Sequence, residues 1–527
     1  MTSQARDVIV IGGGANGLVA AAALARAGRK VLLLERGEVL GGQGRMHEFA
    51  PGFRAPVPGT DQGWLPDSVA RGLGLREMAR VTPEYALAVA GPAEALVVPC
   101  DPKGAWAALR RLSERDATRW PDFIGQLHRL ARFLGEVYQL PAPDIDTSSL
   151  GELLPLAGLA RKFRGLGRKD MIEFLRVMPM AVQELAGDWF ESDLLLAGIT
   201  AGGVQDIRQG PRSGGTAFVL LHHLIGAPAG GLRNRGSWLS GPDGFLVAAE
   251  QAARAAGVEI RTGAGVHRIA VRDDMVTGVV LDGGAELAAT TVLTTTDPAR
   301  TFLQLVDPVW LDPDFLLAVR NIKFRGATSY LLFALDGLPA RADLPEAALR
   351  GPVSLTPGAV ALERAYDASK YGEISAHPHI ELHVPSLTWP GLAPAGRQVM
   401  VAKVQWTPHT LRDGEWNDAR RAALTDRVTR LIGEVLPGFA DRVLHRETLT
   451  PRDLELRFGL TEGATNHGEL TLDQILFMRP VPGWGDHRTP IGGLYQAGAG
   501  THPGPGVLGG PGWLAAKRVL NDKGGRP

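Results

Sequence analysis

The chain of 527 residues is too long for one simple core and indicates two joined domains. Its 56 basic and 56 acidic residues balance, which excludes the strongly basic character of a nucleic-acid-binding protein. The sole cysteine, Cys100, excludes an internal disulfide and a redox-active cysteine pair.

The N-terminal segment predicts a strand, a helix and a second strand. Residues 8–11 are all apolar, which is typical of a buried parallel strand, and residues 31–34 repeat that pattern. Between them, residues 15–27 are rich in alanine and leucine and are followed by Gly28, a favoured residue after a helix end. This order is the βαβ unit in which a dinucleotide-binding fingerprint acts.

A glycine fingerprint lies at the turn between the first strand and the helix. Gly12 allows the tight turn, Gly14 lets the backbone approach a pyrophosphate, and Gly17 lets helix and strand pack closely. The helix N-terminus then faces the phosphates with free N–H groups. Glu35 ends the second strand, where its carboxylate can accept hydrogen bonds from ribose hydroxyls. These features predict dinucleotide binding.

The residues after Glu35 favour FAD over NAD. Gly41 and Gly42 permit a second close backbone approach to the pyrophosphate, and Arg45 can supply positive charge. The alternative for this glycine pair is an ordinary turn after the second strand.

The segment 76–235 is largely helical in pattern, for example over residues 106–138 and 171–185. Residues 153–169 mix leucines with arginines and lysines. That mixture is consistent either with an amphipathic helix at a membrane surface or with the solvated charged face of a helix.

The dinucleotide-binding domain resumes near residue 236. Residues 243–256 predict a helix, and Asp297 is expected to cap a helix that starts near residue 299. The strands expected between them are residues 258–261, 266–271, 276–281 and 291–295.

A second insertion mixes strands and a helix. The strands are expected at residues 329–335, 379–384 and 399–406, and the helix at 412–436. We therefore predict a discontinuous dinucleotide-binding domain and a discontinuous substrate domain. The first comprises residues 1–75, 236–300 and 486–527; the second comprises residues 76–235 and 301–485.

The C-terminal region predicts a second anion site. A short strand at 494–497 leads into the glycine- and proline-rich residues 498–507, and a helix follows through 513–520. In a flavoenzyme, such a helix end can stabilise the negative charge that develops on the pyrimidine side of the reduced ring. The alternative is a surface loop.

Candidate catalytic side chains are few. His502 lies in the C-terminal loop, where it can orient substrate, move a proton or fix the loop by hydrogen bonding. His222 and His223 lie in an apolar run, so we expect core histidines, with exposure to the substrate pocket as the alternative. No metal site is expected, because the sequence carries no metal-binding motif.

Four segments together resemble a known family: GGGANG (12–17), LLLERGEVLGG (32–42), TTTDP (294–298) and GLYQAGAGTHPGPGVLGGPGWLAA (493–516). They are similar to the phytoene desaturase superfamily of FAD-dependent oxidoreductases. Within it, the chain most resembles the branch labelled pyridine nucleotide-disulfide oxidoreductase domain-containing protein 2, which the segments FVLLHHLIG (218–226) and DQILFMRPVPG (473–483) also resemble.

The resemblance implies an α/β fold with a Rossmann-like FAD-binding domain and an α+β cap, of the amine-oxidase and phytoene-desaturase type. It implies an FAD-dependent oxidoreductase that desaturates a hydrophobic, isoprenoid- or polyene-like small molecule by hydride transfer to flavin N5. Oxygen or a quinone is the expected electron acceptor. The alternatives are a redox-neutral isomerase or hydratase that uses FAD, and a non-enzymatic prenyl-binding escort protein.

The same motifs define the expected cofactor-binding residues. In relatives, the strand residue that matches Val266 contacts the adenine ring through its backbone. The full expected set is Gly12, Gly14, Ala15, Asn16, Gly17, Glu35, Arg36, Gly41, Gly42, Gln43, Arg45, Val266, Gly498, Ala499, Pro505, Gly506 and Val507.

The sequence predicts a cytoplasmic protein. Residues 1–7 are polar and lead directly into a strand, unlike a secretory signal, and no apolar run is long enough for a transmembrane helix. Peripheral membrane contact and oligomerisation are left open.

Overall fold

The structure is a computed structural model that describes residues 6–59, 63–75, 78–142 and 150–522, with the backbone alone over 150–156. Its strands are β1 (Arg6–Ile11), β2 (Val31–Leu34), β3 (Met46–Ala50), β4 (Phe53–Pro56), β5 (Arg80–Val81), β6 (Tyr85–Ala90), β7 (Ala95–Pro99), β8 (Ser237–Trp238), β9 (Glu259–Arg261), β10 (Val266–Arg272), β11 (Met275–Leu281), β12 (Glu286–Thr294), β13 (Thr328–Leu335), β14 (Val353–Leu355), β15 (Ile380–His383), β16 (Gln398–Gln405), β17 (Val443–Leu449) and β18 (Leu494–Gln496).

The helices lie between these strands, with a run of consecutive helices between β7 and β8. They are α1 (Ala15–Arg26), α2 (Asp67–Leu73), α3 (Pro102–Arg110), α4 (Glu114–Tyr138), α5 (Leu150–Gly165), α6 (Gly167–Val177), α7 (Val182–Gly187), α8 (Asp193–Gly202), α9 (Thr216–Leu224), α10 (Gly244–Ala255), α11 (Pro298–Arg300), α12 (Pro313–Arg320), α13 (Ala359–Lys370), α14 (Asp418–Val435), α15 (Pro451–Phe458) and α16 (Gly510–Asn521).

The first sheet combines both ends of the chain. Its order is β10-β11-β12-β1-β2-β9, and β18 also pairs with β12. Strands β1, β2, β9, β12 and β18 run parallel, whereas β10, β11 and β12 pair antiparallel. Helices α1, α10 and α16 pack on one face, and α12 packs on the other. The carboxyl ends of the parallel strands therefore meet at one edge, where open α/β sheets bind ligands.

The second sheet belongs to the cap, which is the predicted substrate domain of residues 76–235 and 301–485. Its order is β17-β13-β16-β15-β14-β6-β7, and its neighbours are antiparallel except for β14 and β6. Its strands come from residues 76–235 and 301–485, the predicted substrate domain. The β3–β4 hairpin departs from the predicted division, because Phe49 and Phe53 pack on this sheet against Tyr330 and Leu332.

Three predicted helices differ from those observed, each for a local reason. The segment 106–138 is broken because Ser113 caps α4 by accepting a hydrogen bond from the backbone N–H of Asp116. Asn417 caps α14 in the same way, so that helix starts six residues later than predicted, after residue 417. The segment 171–185 divides into α6 and α7, with Pro179 between them.

The predicted basic amphipathic segment forms α5 and the start of α6. The side chains of its leucines Leu153, Leu154 and Leu156 lie outside the described residues, and Arg161 and Arg164 are exposed. None of the helices in the described ranges combines the length and apolarity needed to cross a membrane. Peripheral membrane contact stays a prediction.

Candidate functional site

A cavity of about 350 Å³ opens at the carboxyl ends of β1, β2 and β12. Ile11, Leu34 and Thr295, which lie at or next to those strand ends, form part of its wall. Most of the expected cofactor-binding residues line it as well. These are Gly12, Gly14, Ala15, Asn16, Glu35, Arg36, Gly41, Gly42, Gln43, Val266, Ala499, Pro505, Gly506 and Val507.

The first glycine loop is packed so tightly that larger residues would not fit. Gly12 has a φ of +100°, and a Cβ there would lie 2.2 Å from Thr295 Oγ1. A Cβ at Gly17 would lie 1.9 Å from the Gly12 carbonyl oxygen. Gly17 does not line the cavity but allows α1 to begin directly behind the turn, which is the packing role predicted for it.

Gly14 faces the second glycine loop across a narrow gap. A Cβ at Gly14 would lie 3.8 Å from the Cα of Gly42. The backbone N–H of Gly41 donates to the Gly13 carbonyl at 2.9 Å, which holds the two loops together. The start of α1 points into this gap, so bare backbone and a helix N-terminus meet where the pyrophosphate of a dinucleotide fits.

Glu35 is oriented by backbone N–H groups. Its Oε2 accepts from Gly13 at 2.7 Å and its Oε1 accepts from Gly37 at 2.8 Å. The remaining lone pairs of this cavity-lining carboxylate suit ribose hydroxyls. Arg36 and Val266 line the cavity with Glu35, in keeping with an adenosine end at this side.

In the second glycine loop, Gln43 lines the cavity but Arg45 does not. The amide of Gln43 donates to the Thr465 carbonyl at 2.9 Å, so it ties the loop to the cap. Arg45 does not line the cavity; its guanidinium lies 5.8 Å from the ring centroid of Phe458. The phosphate role expected for Arg45 therefore has no support from its position.

The C-terminal loop closes the same cavity. The backbone N–H of Trp64 donates to the Gly506 carbonyl at 2.7 Å, and the N–H of Leu508 donates to the Trp64 carbonyl at 2.8 Å. Helix α16 then packs on α1. Residues 498–507 thus lie beside the pocket of residues 12–17, as the sequence predicts.

His502 belongs to this loop, but its side chain does not line the cavity. Its Nε2 donates to the Leu140 carbonyl at 3.0 Å, and its side chain is buried. Burial, with His487 nearby, lowers the pKa of His502 to about 3, so the imidazole is neutral. Gly498 also lies outside the cavity wall, packed against the Thr295 carbonyl. The geometry favours the loop-fixing alternative for His502.

His222 is a core histidine that supports the loop. Its Nε2 lies 3.0 Å from the Pro505 carbonyl oxygen and must donate, because a carbonyl only accepts. Its Nδ1 therefore accepts from the Tyr138 hydroxyl at 2.7 Å. His223 instead lines a second cavity of about 110 Å³ between the cap helices and the second sheet.

Two contributions to the site were missed by sequence reasoning. Asp297 and Arg300 line the first cavity, and Asp297 caps α11 as predicted by accepting from the Arg300 N–H at 2.8 Å. Buried Arg479 donates to the carbonyl oxygens of Ala499 at 3.0 Å and Gly468 at 3.0 Å, which joins the C-terminal loop to the cap. Asp297 and Arg479 lie within the family-like segments TTTDP and DQILFMRPVPG, and Arg300 follows the first of these, but nothing else in the sequence marks their contacts.

A family model supports what the geometry indicates. Residues 97–519 match flavin containing amine oxidoreductase, and residues 10–60 match an NAD(P)-binding Rossmann-like domain. The chain belongs to the flavin-containing amine oxidoreductase family. It is an FAD-dependent oxidoreductase, and the cavity fits FAD because the bare backbone at Gly14 and Gly42 leaves room for a pyrophosphate beside the Glu35 carboxylate.

The similarity of this oxidoreductase to known proteins extends over nearly its whole length. The chain is 33% identical to pyridine nucleotide-disulfide oxidoreductase domain-containing protein 2 of Rattus norvegicus, covering 98% of this chain and 93% of that protein. It is 26% identical to a subunit of limonene dehydrogenase from Castellaniella defragrans, covering 98% and 95%. Cyclohexylamine oxidase from Brevibacterium oxydans shares the fold, with a TM-score of 0.56 at 14% identity over 98% of each chain.

Proposed function

We propose that this oxidoreductase dehydrogenates a carbon–carbon bond in a small molecule with an apolar, isoprenoid-like skeleton. The observation that carries the proposal is that residues from both ends of the chain line one cavity, with His222 of the cap in contact with Pro505 of the C-terminal loop. Similarity to the limonene dehydrogenase polypeptide over nearly the full length supports the chemistry. Similarity to all-trans-zeta-carotene desaturase of Myxococcus xanthus, 28% over 49% of this chain and 46% of that protein, supports it further.

In this reaction the substrate loses two electrons and two protons as one carbon–carbon single bond becomes double. Bound FAD supplies the two-electron acceptor, and oxygen or a quinone would then receive the electrons. The chain's own residues would bind the cofactor and line the space next to it. Gly12, Gly14 and Glu35 would hold the phosphates and ribose, while Pro505 and Gly506, fixed by His222 and Trp64, would border the reacting end.

Anaerobic reduction tests the proposal. Holoenzyme is mixed without oxygen with limonene, with citronellate (an isoprenoid acid), and with cyclohexylamine, and the visible flavin absorbance is followed. We expect bleaching by an isoprenoid and a product lighter by two hydrogen atoms. Bleaching by cyclohexylamine alone, or an isoprenoid product of unchanged mass, would contradict dehydrogenation of a carbon–carbon bond.

A further inference from the structure

One loop of the cap contacts two other loops at the cofactor cavity. It comprises residues 465–468, of which Thr465 and His467 line the cavity wall. The Thr465 carbonyl accepts from the Gln43 amide of the second glycine loop at 2.9 Å. A Cβ at Gly500 of the C-terminal loop would lie 3.1 Å from the His467 carbonyl oxygen. His467 therefore lies between the loop that faces the pyrophosphate site and the C-terminal loop.

A buried guanidinium fixes the backbone on both sides of His467. Arg479 Nη2 donates to the carbonyl oxygens of Asn466 and Gly468. Its Nε donates to the Ala499 carbonyl of the C-terminal loop at 3.0 Å. Between these contacts His467 has a φ of +52°, a conformation that residues other than glycine rarely adopt. Such strain persists only where the surrounding contacts enforce it, and it is typical of ligand-binding sites.

The imidazole of His467 is neutral. Burial lowers its pKa, and although the carboxylate of Asp297 opposes this effect, the positive charge of Arg479 adds to it. A neutral imidazole carries one N–H donor and one nitrogen that accepts. The loop therefore brings a hydrogen-bonding side chain to the cavity wall without adding a charge.

The two ring nitrogens of His467 have different surroundings. Nδ1 is enclosed and has no hydrogen-bond partner among the residues that the structure describes. A proton on Nδ1 would be a buried N–H without an acceptor, which is destabilising, so the proton belongs on Nε2. The residue as a whole is partly exposed. Since a ligand cannot reach the enclosed Nδ1, Nε2 is the ring nitrogen available to a molecule in the cavity.

We infer that His467 binds the cofactor, with its Nε2–H donating a hydrogen bond to bound FAD on the flavin side of the pyrophosphate. The pyrophosphate site is fixed by the bare backbone of Gly14 and Gly42, and His467 lies beyond it, beside the C-terminal loop. The inference depends on FAD binding alone and holds whichever bond of the substrate the enzyme oxidises.

Release of FAD from the holoenzyme tests the inference without requiring turnover. His467→Phe retains an aromatic ring without nitrogens, and His467→Gln keeps a donor near the position of Nε2. His467→Asn tolerates the left-handed backbone but places its amide near the position of Nδ1. Flavin fluorescence on dilution gives the dissociation constant. We expect it to rise about tenfold in His467→Phe and His467→Asn, and to stay close to the wild-type value in His467→Gln.

ADP locates the contact along the cofactor, because ADP has the adenosine and pyrophosphate of FAD but lacks the ribityl chain and the ring. Its dissociation constant is measured by displacement of FAD from each holoenzyme. We expect the same value for ADP in the wild type and in all three variants. Equal weakening of ADP and FAD binding would place the effect at the adenosine end and overturn the inference.

His379→Phe is the matched control. His379 is also buried, and its Nε2 has no partner within the described part of the chain, but the residue lies outside the cavity wall. This variant should leave FAD affinity unchanged. If His467→Phe does not fold, the comparison of His467→Gln with His467→Asn decides the question. Wild-type FAD affinity in His467→Phe or His467→Asn, or recovery by asparagine rather than glutamine, would overturn the inference.

Discussion

A Cβ at Gly512 would lie 2.0 Å from the carbonyl oxygen of Asn16, so the first and last helices of the fold are in backbone contact. Asn16 belongs to the fingerprint at the start of α1, and Gly512 lies in the first turn of α16. This contact holds the C-terminal loop over the N-terminal glycine turn.

Gly512→Ala is expected to separate these helices. The added methyl has no space against backbone, so overpacking should cost about 1–3 kcal/mol and lower both the melting temperature and the flavin content. Thermal unfolding monitored by flavin fluorescence measures both effects. Gly433→Ala is the control, because a Cβ at Gly433 on α14 meets nothing within 4 Å. Equal melting temperatures for the two variants would contradict the packing argument.

Tyr138→Phe tests whether the hydrogen bonds from Tyr138 to His222 and from His222 to Pro505 hold the C-terminal loop in place. The variant removes the hydroxyl that donates to His222 Nδ1 and leaves a buried acceptor without that donor, at a cost of about 1–3 kcal/mol. We expect a lower melting temperature and a shifted visible flavin spectrum, because His222 also holds the Pro505 carbonyl. A stable variant with an unchanged spectrum would show that Tyr138 does not position the loop.

His502→Ala distinguishes the two roles considered for that residue. Loss of the hydrogen bond to Leu140 and of the buried ring should destabilise the protein by about 2–4 kcal/mol. His502→Gln, which retains a donor, should recover part of that stability and of the activity. If stability is unchanged while kcat falls strongly in both variants, His502 acts on the substrate instead.

Buried histidines predict acid sensitivity. Burial lowers the pKa of His379, His383 and His487 to about 4, whereas an unfolded histidine titrates near about 6.5. Below about pH 6.5 the unfolded state binds more protons than the folded state, so stability should fall as the pH decreases toward about 5. Glu381 adds to this loss only below about pH 4.5, the range in which an unfolded glutamate becomes protonated. A melting temperature that is constant between about pH 7 and pH 5 would contradict the prediction.

The nucleotide-binding end of the molecule was readable from sequence because its signals are local. The strand, the turn, the helix and Glu35 follow one another within residues 8–35. The glycines are required where a side chain would clash, as at Gly17, where a Cβ would lie 1.9 Å from the Gly12 carbonyl oxygen. Strand β2 has the predicted bounds, and Asp297 caps its helix as expected.

The second cavity, of about 110 Å³, could not be predicted in this way. Asp206, Arg233, Glu381 and Lys403 are far apart along the chain, and only the pairing of β15 with β16 and their packing under the cap bring them together. In sequence each of these residues is an ordinary charged residue. The same holds for Arg479, whose partners are backbone carbonyls with no sequence signature.

The flavin content of Gly14→Val tests the central claim most directly. Space exists for the side chain, since a Cβ would lie 3.8 Å from Gly42 Cα, but valine would fill the gap where the pyrophosphate belongs. Wild type and the control Gly433→Val should bind FAD in equimolar amount, while folded Gly14→Val should hold less than about one tenth of that. Wild-type protein that remains colourless after incubation with FAD, or Gly14→Val with full flavin content, would contradict the account.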